Sequence, residues 1–372
     1  MSKAIGIIYA NNANDTLQGL ALKRPIAAVP FGGRYRILDF ALSSMVNSGI
    51  RTIGVVAPHH YRPLLDHLGA GKAWFLDRKN GGLFILPGAI HGFTENNHTF
   101  CVKDLQSNIE YLQNDFAENV VISSGDQIYN MNFKNALELH NDKHADVTMI
   151  YNGIANSGDQ TDVFLEIGEG QKVVNIFDQK RIEKNLFTKP HFVNMLIIRR
   201  ELLLEIIEKY GSIGCIDLID IFTSNSQVLK IYASPTCSLI GIIRTLKDYF
   251  DRSMELLDLE VRGRLWLGGD RIHTKFKDYP PTQYTSDAKV SNSLIASGCS
   301  IAGEVASSII FRGVVVEQGC KIKNSIILPK CYLHANAQTD YAILDKSVQV
   351  NGENILKGSL NNPLVVLKRT VI

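Results

Sequence analysis

Apolar positions over the first 150 residues switch between two periods. Residues Ala4–Tyr9 form a short continuous apolar run, which predicts a buried strand. Leu38, Leu42, Met45 and Val46 fall on one helical face, and Asn47-Ser48-Gly49 supplies a helix stop. Thr52–Ala57 predicts a second strand, 105–113 a helix, 120–123 a third strand, and 145–151 a fourth after a further helix. This β-α-β-α-β order argues for a mostly parallel sheet with helices packed on it. Such sheets bind ligands beyond the carboxyl ends of their strands, so Ser124-Gly125-Asp126, just after the third strand, stands where chemistry is expected. Further on, Leu246, Phe250, Met254 and Leu257 form one stripe and predict a helix over 245–261, after which Tyr279-Pro280-Pro281 marks a linker.

From about residue 285 the texture changes to short β-branched runs. Leu294-Ile295, Ile309-Ile310, Ile326-Ile327 and Ile343-Leu344 recur at spacings of 15, 17 and 17 residues; the first three follow a serine, and Gly298, Gly313 and Gly319 punctuate the turns. Spacings near three hexads predict a parallel β-helix of about four coils, each burying its aliphatics on the next. The alternative is a β-sandwich, whose Asn-Gly hairpin signal occurs only at Asn351-Gly352.

Composition narrows the class. The 372 residues carry 39 Lys and Arg against 37 Asp and Glu, a net charge of +2, with 45% hydrophobic and 20% charged positions. Those proportions are those of a globular chain of two domains, neither disordered nor built for nucleic acid. No apolar run approaches the roughly 18 residues of a membrane helix, and the amino end is too short in apolar residues for a signal peptide, so a cytoplasmic location is expected. Six dispersed cysteines without a C-x-x-C pair read as buried free thiols.

The run Pro30-Phe31-Gly32-Gly33-Arg34-Tyr35-Arg36-Ile37-Leu38-Asp39-Phe40, followed by Leu42-Ser43 and Asn47-Ser48-Gly49-Ile50, closely resembles the amino-terminal signature of ADP-glucose pyrophosphorylases (glucose-1-phosphate adenylyltransferases). Trp74 with Asp77-Arg78, Gly81-Gly82 with Leu86-Pro87, Ser124-Gly125-Asp126-Gln127-Ile128-Tyr129 and the carboxyl-terminal repeat extend the likeness over nearly the whole chain. The resemblance implies a Rossmann-like nucleotidyltransferase domain followed by a left-handed parallel β-helix. It also implies synthesis of ADP-glucose and pyrophosphate from ATP and glucose 1-phosphate, with Mg²⁺ held partly by two aspartates. The corresponding division is 1–240 for the nucleotidyltransferase-like domain, 241–284 for a helix and linker, and 285–372 for the β-helix.

The departures from that family are chemical. Its Gly-Gly-x-Gly-x-Arg-Leu loop lets backbone amides approach a triphosphate whose charge an arginine offsets. This chain has Tyr9-Ala10-Asn11-Asn12-Ala13-Asn14-Asp15-Thr16-Leu17, without those glycines or the arginine and with an added acid. The family's next lysine is Ile26, and its Gly-Thr-Ala segment has become Cys101-Val102-Lys103-Asp104. The second metal aspartate, in a Trp-Lys-Asp-Val-Gly-Thr run, aligns with Ile242 within Ile240-Gly241-Ile242-Ile243-Arg244-Thr245, which leaves Asp126 as the matching carboxylate. The Glu-Glu-Lys-Pro sugar motif becomes Asp178-Gln179-Lys180-Arg181. Removing one preorganised donor costs on the order of 3 kcal/mol, so the combined losses argue against turnover.

This pattern resembles the GlgD-type glycogen-biosynthesis subunit, the paralogue that pairs with a catalytic GlgC-type subunit. What that implies is a regulatory chain with no catalytic residue and no metal or cofactor of its own, Mg²⁺ serving the catalytic partner in a heterotetramer. Gly125, Asp126 and Lys180 become a vestigial nucleotide or sugar site, although Asp126 also reads as a turn aspartate and Lys180 as a solvated lysine. Lys23, Arg24, Arg34 and Arg36 are either a solvated surface or cations for an anionic effector or an interface. The alternative from another class is an active sugar-1-phosphate nucleotidyltransferase of altered specificity, with Asn11 to Asn14 cradling phosphate.

Overall fold

The computed structural model describes residues 4–10, 15–57, 60–88, 100–153, 163–178, 189–214, 216–266 and 270–372. The chain divides into two compact units, one of residues up to 13, 40–242 and 269–273, the other of 14–39, 243–268 and 274–372.

The first unit is built on a nine-stranded sheet. Its main path runs Val173–Asp178, Val163–Ile167, His191–Arg199, Asn119–Ser124, Ala4–Tyr9, Thr52–Ala57, Gly82–Pro87, while Val147–Asn152 pairs with His191–Arg199 and Ile231–Pro235. Ala4–Tyr9 lies between two parallel neighbours, with Tyr9 opposite Ser124 and also opposite Val56. Ile5, Ile7, Ile8 and Tyr9 are wholly buried, the burial on both faces that a continuous apolar strand requires. Antiparallel His191–Arg199 interrupts the parallel order, and its register against Val147–Asn152 shifts between Phe192 and Leu196, where Asn194 has φ +53°. Asparagine tolerates that left-handed backbone, so a β-bulge forms there.

The helix expected over 105–113 is two short ones, Val102–Gln106 and Ile109–Gln113. Between them the Asn108 side chain donates to the Asp104 carbonyl at 2.7 Å and the Pro87 carbonyl at 2.8 Å, taking the carbonyl a continuing helix would use.

In the second unit the helix expected over 245–261 is likewise interrupted. Thr245 and Asp248 cap Leu246–Met254 reciprocally, a tighter turn spans Glu255–Leu257, and extended Asp258 starts Leu259–Trp266 by accepting from the Glu260 amide at 2.7 Å. The remainder is a parallel β-helix whose three faces are each a five-stranded parallel sheet. Ile309, Ile326 and Ile343 stack in register, as do Ile310, Ile327 and Leu344, all fully buried. The serines before the repeats have a structural use: Ser293 Oγ accepts the Ser308 amide, Ser308 Oγ that of Ser325, and Ser325 Oγ that of Ala342. A fifth coil, Leu364–Val366, follows the four expected, with Ile343 paired to Val365 across a longer connection.

Cys101, Cys299, Cys320 and Cys331 are buried free thiols as expected, and burial pushes the Cys331 thiol up to about 12. Cys237 is exposed, contrary to expectation, and Cys215 lies outside the described residues. No helix of the described residues is long and apolar enough to cross a membrane.

Candidate functional site

The carboxyl ends of Ala4–Tyr9 and Asn119–Ser124 lie side by side, and the chain after the second folds across the first. The Gly125 amide donates to the Tyr9 carbonyl at 2.7 Å. A Cβ on Gly125 would stand 3.0 Å from that oxygen and 3.3 Å from Ala10 Cα, so the close crossing calls for glycine. Asp126 is buried, and its Oδ1 accepts from Ser124 Oγ at 2.5 Å. Ser123 Oγ and the Tyr129 hydroxyl are 2.7 Å apart. The Tyr9 hydroxyl donates to the Cys101 carbonyl at 3.0 Å, and Asp217 fixes the adjoining backbone by accepting from the Phe100 and Ile219 amides, both at 2.9 Å.

Immediately after Asp126, Gln127–Tyr129 pairs antiparallel with Ile240–Ile242, which places Ile242 opposite Gln127. Ile242 is buried and offers no oxygen to a cation. Among the described residues, no three His, Cys, Asp or Glu side chains come together as a metal cage. With Ile242 at the position that the family resemblance assigns to the second aspartate, Asp126 and Ile242 together offer one carboxylate where that Mg²⁺ arrangement has two. Gln127 was not anticipated: it is fully buried, and neither polar atom of its side-chain amide has a hydrogen-bond partner among the described residues. Lys180 and Asn11 to Asn14 lie outside the described residues.

The four cations named from sequence occupy different settings in the second unit. Lys23 and Arg34 are exposed, and the Arg34 guanidinium sits 5.3 Å from the Tyr35 ring centroid. Arg36 lies in the hairpin of Pro30–Phe31 with Tyr35–Arg36, its amide bound to Asp39 Oδ2 at 3.0 Å. Arg24 is different: its Nη2 meets Asp345 Oδ1 at 2.9 Å with 12% and 5% of the two side chains exposed.

Arg34 and Arg36 belong to a larger cationic group. Burial lowers the Lys277 pKa first, and Lys346, Arg36, Arg312 and Lys275 lower it further. Burial and then Arg34 depress Arg312, while burial followed by Lys368, Lys330, Arg36 and Arg369 depresses Lys346. Like charges gathered together, from exposed Arg34 and Lys277 to buried Arg312, favour an anion among them. A sequence signal for the β-helix members exists at the coil period. At one corner the Gly313 amide binds the Ser297 carbonyl, Lys330 binds Arg312, Ser347 binds Pro329 and Arg369 binds Lys346, so Arg312, Lys346 and Lys368 follow the buried strand pairs of successive coils.

Comparison with known proteins covers both units. Residues 6–175 match the nucleotidyl transferase family and 280–356 the GlmU-like C-terminal hexapeptide family. The chain is 33% identical over 370 residues to the glycogen biosynthesis protein GlgD of Geobacillus stearothermophilus and 30% identical over 370 residues to that of Bacillus subtilis (strain 168), in each case spanning 100% of this chain and 97% of the relative. It is 30% identical over 375 residues to the glucose-1-phosphate adenylyltransferase of Bacillus mycoides (strain KBAB4), spanning 98% of this chain and 97% of that one. These matches and the sheet topology agree with the expected fold, a nucleotidyltransferase domain with a mostly parallel sheet followed by a left-handed parallel β-helix.

Proposed function

The chain belongs to the ADP-glucose pyrophosphorylase (glucose-1-phosphate adenylyltransferase) family, and from that premise we propose that it serves glycogen biosynthesis as a regulatory subunit with little or no catalysis of its own. Its partner in this reading is a GlgC-type subunit, which binds Mg²⁺, ATP and glucose 1-phosphate and releases ADP-glucose and pyrophosphate, the two assembling as a cytoplasmic heterotetramer.

The observation that carries the reading is Ile242 opposite Gln127, one residue beyond Asp126. Nucleotidyl transfer depends on cations and preorganised donors that hold a triphosphate and offset its charge. An aliphatic side chain supplies neither, and the sequence of the loop after Tyr9 lacks the glycines and arginine as well. The group formed by Arg34, Arg36, Lys277, Arg312 and Lys346 is, in this reading, the site of an anionic small-molecule effector.

The test is an assay of the purified chain with ATP, glucose 1-phosphate and Mg²⁺, alone and mixed with its GlgC-type partner. Trace turnover alone, with a changed maximal rate, substrate affinity or effector response in the mixture, supports the proposal. Robust turnover by the isolated chain overturns it in favour of an active transferase, and an unchanged partner overturns the regulatory role.

A further inference from the structure

The first unit holds a cavity of about 820 Å³ at the end of its sheet opposite Asp126. Asn119 opens the strand whose other end leads to Gly125 and Asp126, so at about 3.3 Å per residue the cavity and that site lie roughly 15–20 Å apart. The strand registers bring its walls together. Arg199 pairs with Asn119, while Ile198 and Ile231 both pair with Val147, which sets Asp146 beside Arg199 and Lys230. Hydrogen bonds then fix those walls. Asp146 Oδ1 accepts from Arg199 Nη2 at 2.5 Å and its Oδ2 from the Lys230 amide at 2.8 Å. Asn119 Nδ2 donates to Asn141 Oδ1 at 2.9 Å, and Arg200 donates through Nε to the Ala117 carbonyl at 2.8 Å and through Nη1 to the Leu112 carbonyl at 3.3 Å. Polar groups held in this way need little reordering to receive a ligand. One of them is unmet: His140 lines the cavity at 2% exposure, its Nδ1 is 2.9 Å from Thr148 Oγ1, and its Nε2 has no hydrogen-bond partner among the described residues. A buried polar atom without a partner is costly, and a hydroxyl lodged beside the ring relieves that cost.

Arg199, Arg200 and Lys230 stand in this lining against Glu118, Asp146 and Glu201, and burial keeps His140 neutral, its pKa pushed down to about 4. Such a balance favours neither an anion nor a cation. Carboxylates only accept hydrogen bonds and guanidinium groups only donate them, so a ligand that engages both needs groups able to do either, as hydroxyls are. Phe116, 89% exposed beside the cavity, offers a flat apolar surface to the C–H face of a sugar ring. A nucleobase asks for apolar contact on both faces, and apart from Phe116 the lining is apolar only at Ala117 and Ala145. We propose that this cavity binds a neutral oligosaccharide, a chain of glucose units, at the end of the sheet away from Asp126. The choice of glucose rests on reading the chain as a glycogen-biosynthesis protein. Binding here ties the chain to the polymer which that biosynthesis builds.

Maltohexaose is the probe, titrated calorimetrically to millimolar concentration into the full chain, with adenosine as the comparison ligand. Wild type should bind maltohexaose, and Phe116→Ala and Glu201→Ala should each weaken binding at least about fivefold, the usual effect of truncating a side chain that carries affinity. Both side chains are exposed, so the variants are expected to keep the fold; Lys230→Ala, also exposed, replaces either one that does not. Asp126→Asn, at the far end of the strand, should bind within about twofold of wild type. Absence of maltohexaose binding overturns the proposal, and so does binding that the cavity variants leave unchanged. Loss on Asp126→Asn alone moves the sugar to the other end of the sheet and overturns it as well. Adenosine binding that Phe116→Ala weakens, without maltohexaose binding, overturns it in favour of a nucleoside site. Turnover by the isolated chain, the result that overturns the regulatory reading, leaves each of these outcomes unaffected.

Discussion

Ile242 faces Gln127 across an antiparallel ladder, and the two side chains set the character of the strand end that carries Asp126. Ile242 is 8% exposed, and Gln127 is fully buried with no hydrogen-bond partner for its amide among the described residues. Asp126 accepts from Ser124 and keeps the switch-point position, next to the Gln127–Ile242 pair.

If this chain contributes no metal-dependent step, Asp126→Asn leaves the activity of the reconstituted mixed oligomer within about twofold, since losses from removing a reacting group are far larger. The measurement is ADP-glucose formation by the mixture, with assembly checked by gel filtration. Near-complete loss with assembly intact assigns turnover to this site.

Gly125→Ala should destabilise the first unit by about 1–3 kcal/mol, the usual cost of forcing an extra carbon into a packed position. The added Cβ meets the Tyr9 carbonyl at 3.0 Å and Ala10 Cα at 3.3 Å, both backbone atoms that cannot rotate away. Urea unfolding of the two forms measures the difference; equal midpoints would contradict the crossing geometry.

Asp217→Ala removes a helix cap and an acceptor at once. The carboxylate receives the Ile219 amide within its own helix and the Phe100 amide 117 residues away. Loss of the cap costs about 0.5–2 kcal/mol and stranding a buried amide about 1–3. A fall of about 2–4 kcal/mol in unfolding free energy is expected, with Asp217→Asn recovering part of it.

Much of the architecture was legible because it is written in apolar periodicity. Ala4–Tyr9, Thr52–Ala57 and the isoleucine pairs of the β-helix form where their patterns place them. Both misjudged helices were broken by polar side chains, Asn108 and Asp258, that bind backbone groups locally, an effect apolar periodicity does not register. The fifth coil was missed because Ile343 and Val365 are 22 residues apart where earlier spacings were 15 and 17. At the candidate site Gly125, Asp126 and Ile242 could be read from motif spacing. Lys277, Arg312 and Lys346 are distant in sequence, and Arg312 and Lys346 share a β-helix corner only through coil stacking.

His140 gives the fold a pH dependence whose sign can be worked out. Its Nδ1 is 2.9 Å from Thr148 Oγ1, and its Nε2 is buried with no hydrogen-bond partner among the described residues. Burial foremost, then the Arg199 charge, push its pKa down to about 4, with Asp146 opposing. The unfolded chain takes up this proton near pH 6.5, as ordinary histidine does. Stability from neutral His140 is therefore complete above about pH 6.5, declines as pH falls toward about 4, and levels off below that. At 1.36 kcal/mol per pH unit the full loss is about 3 kcal/mol. His140→Phe, which cannot protonate, should flatten the unfolding free energy between pH 6.5 and 4.5 by close to one proton's worth relative to wild type. Urea unfolding at several pH values reads this directly. Equal slopes in the two proteins would mean that His140 protonates as readily in the folded chain as in the unfolded one.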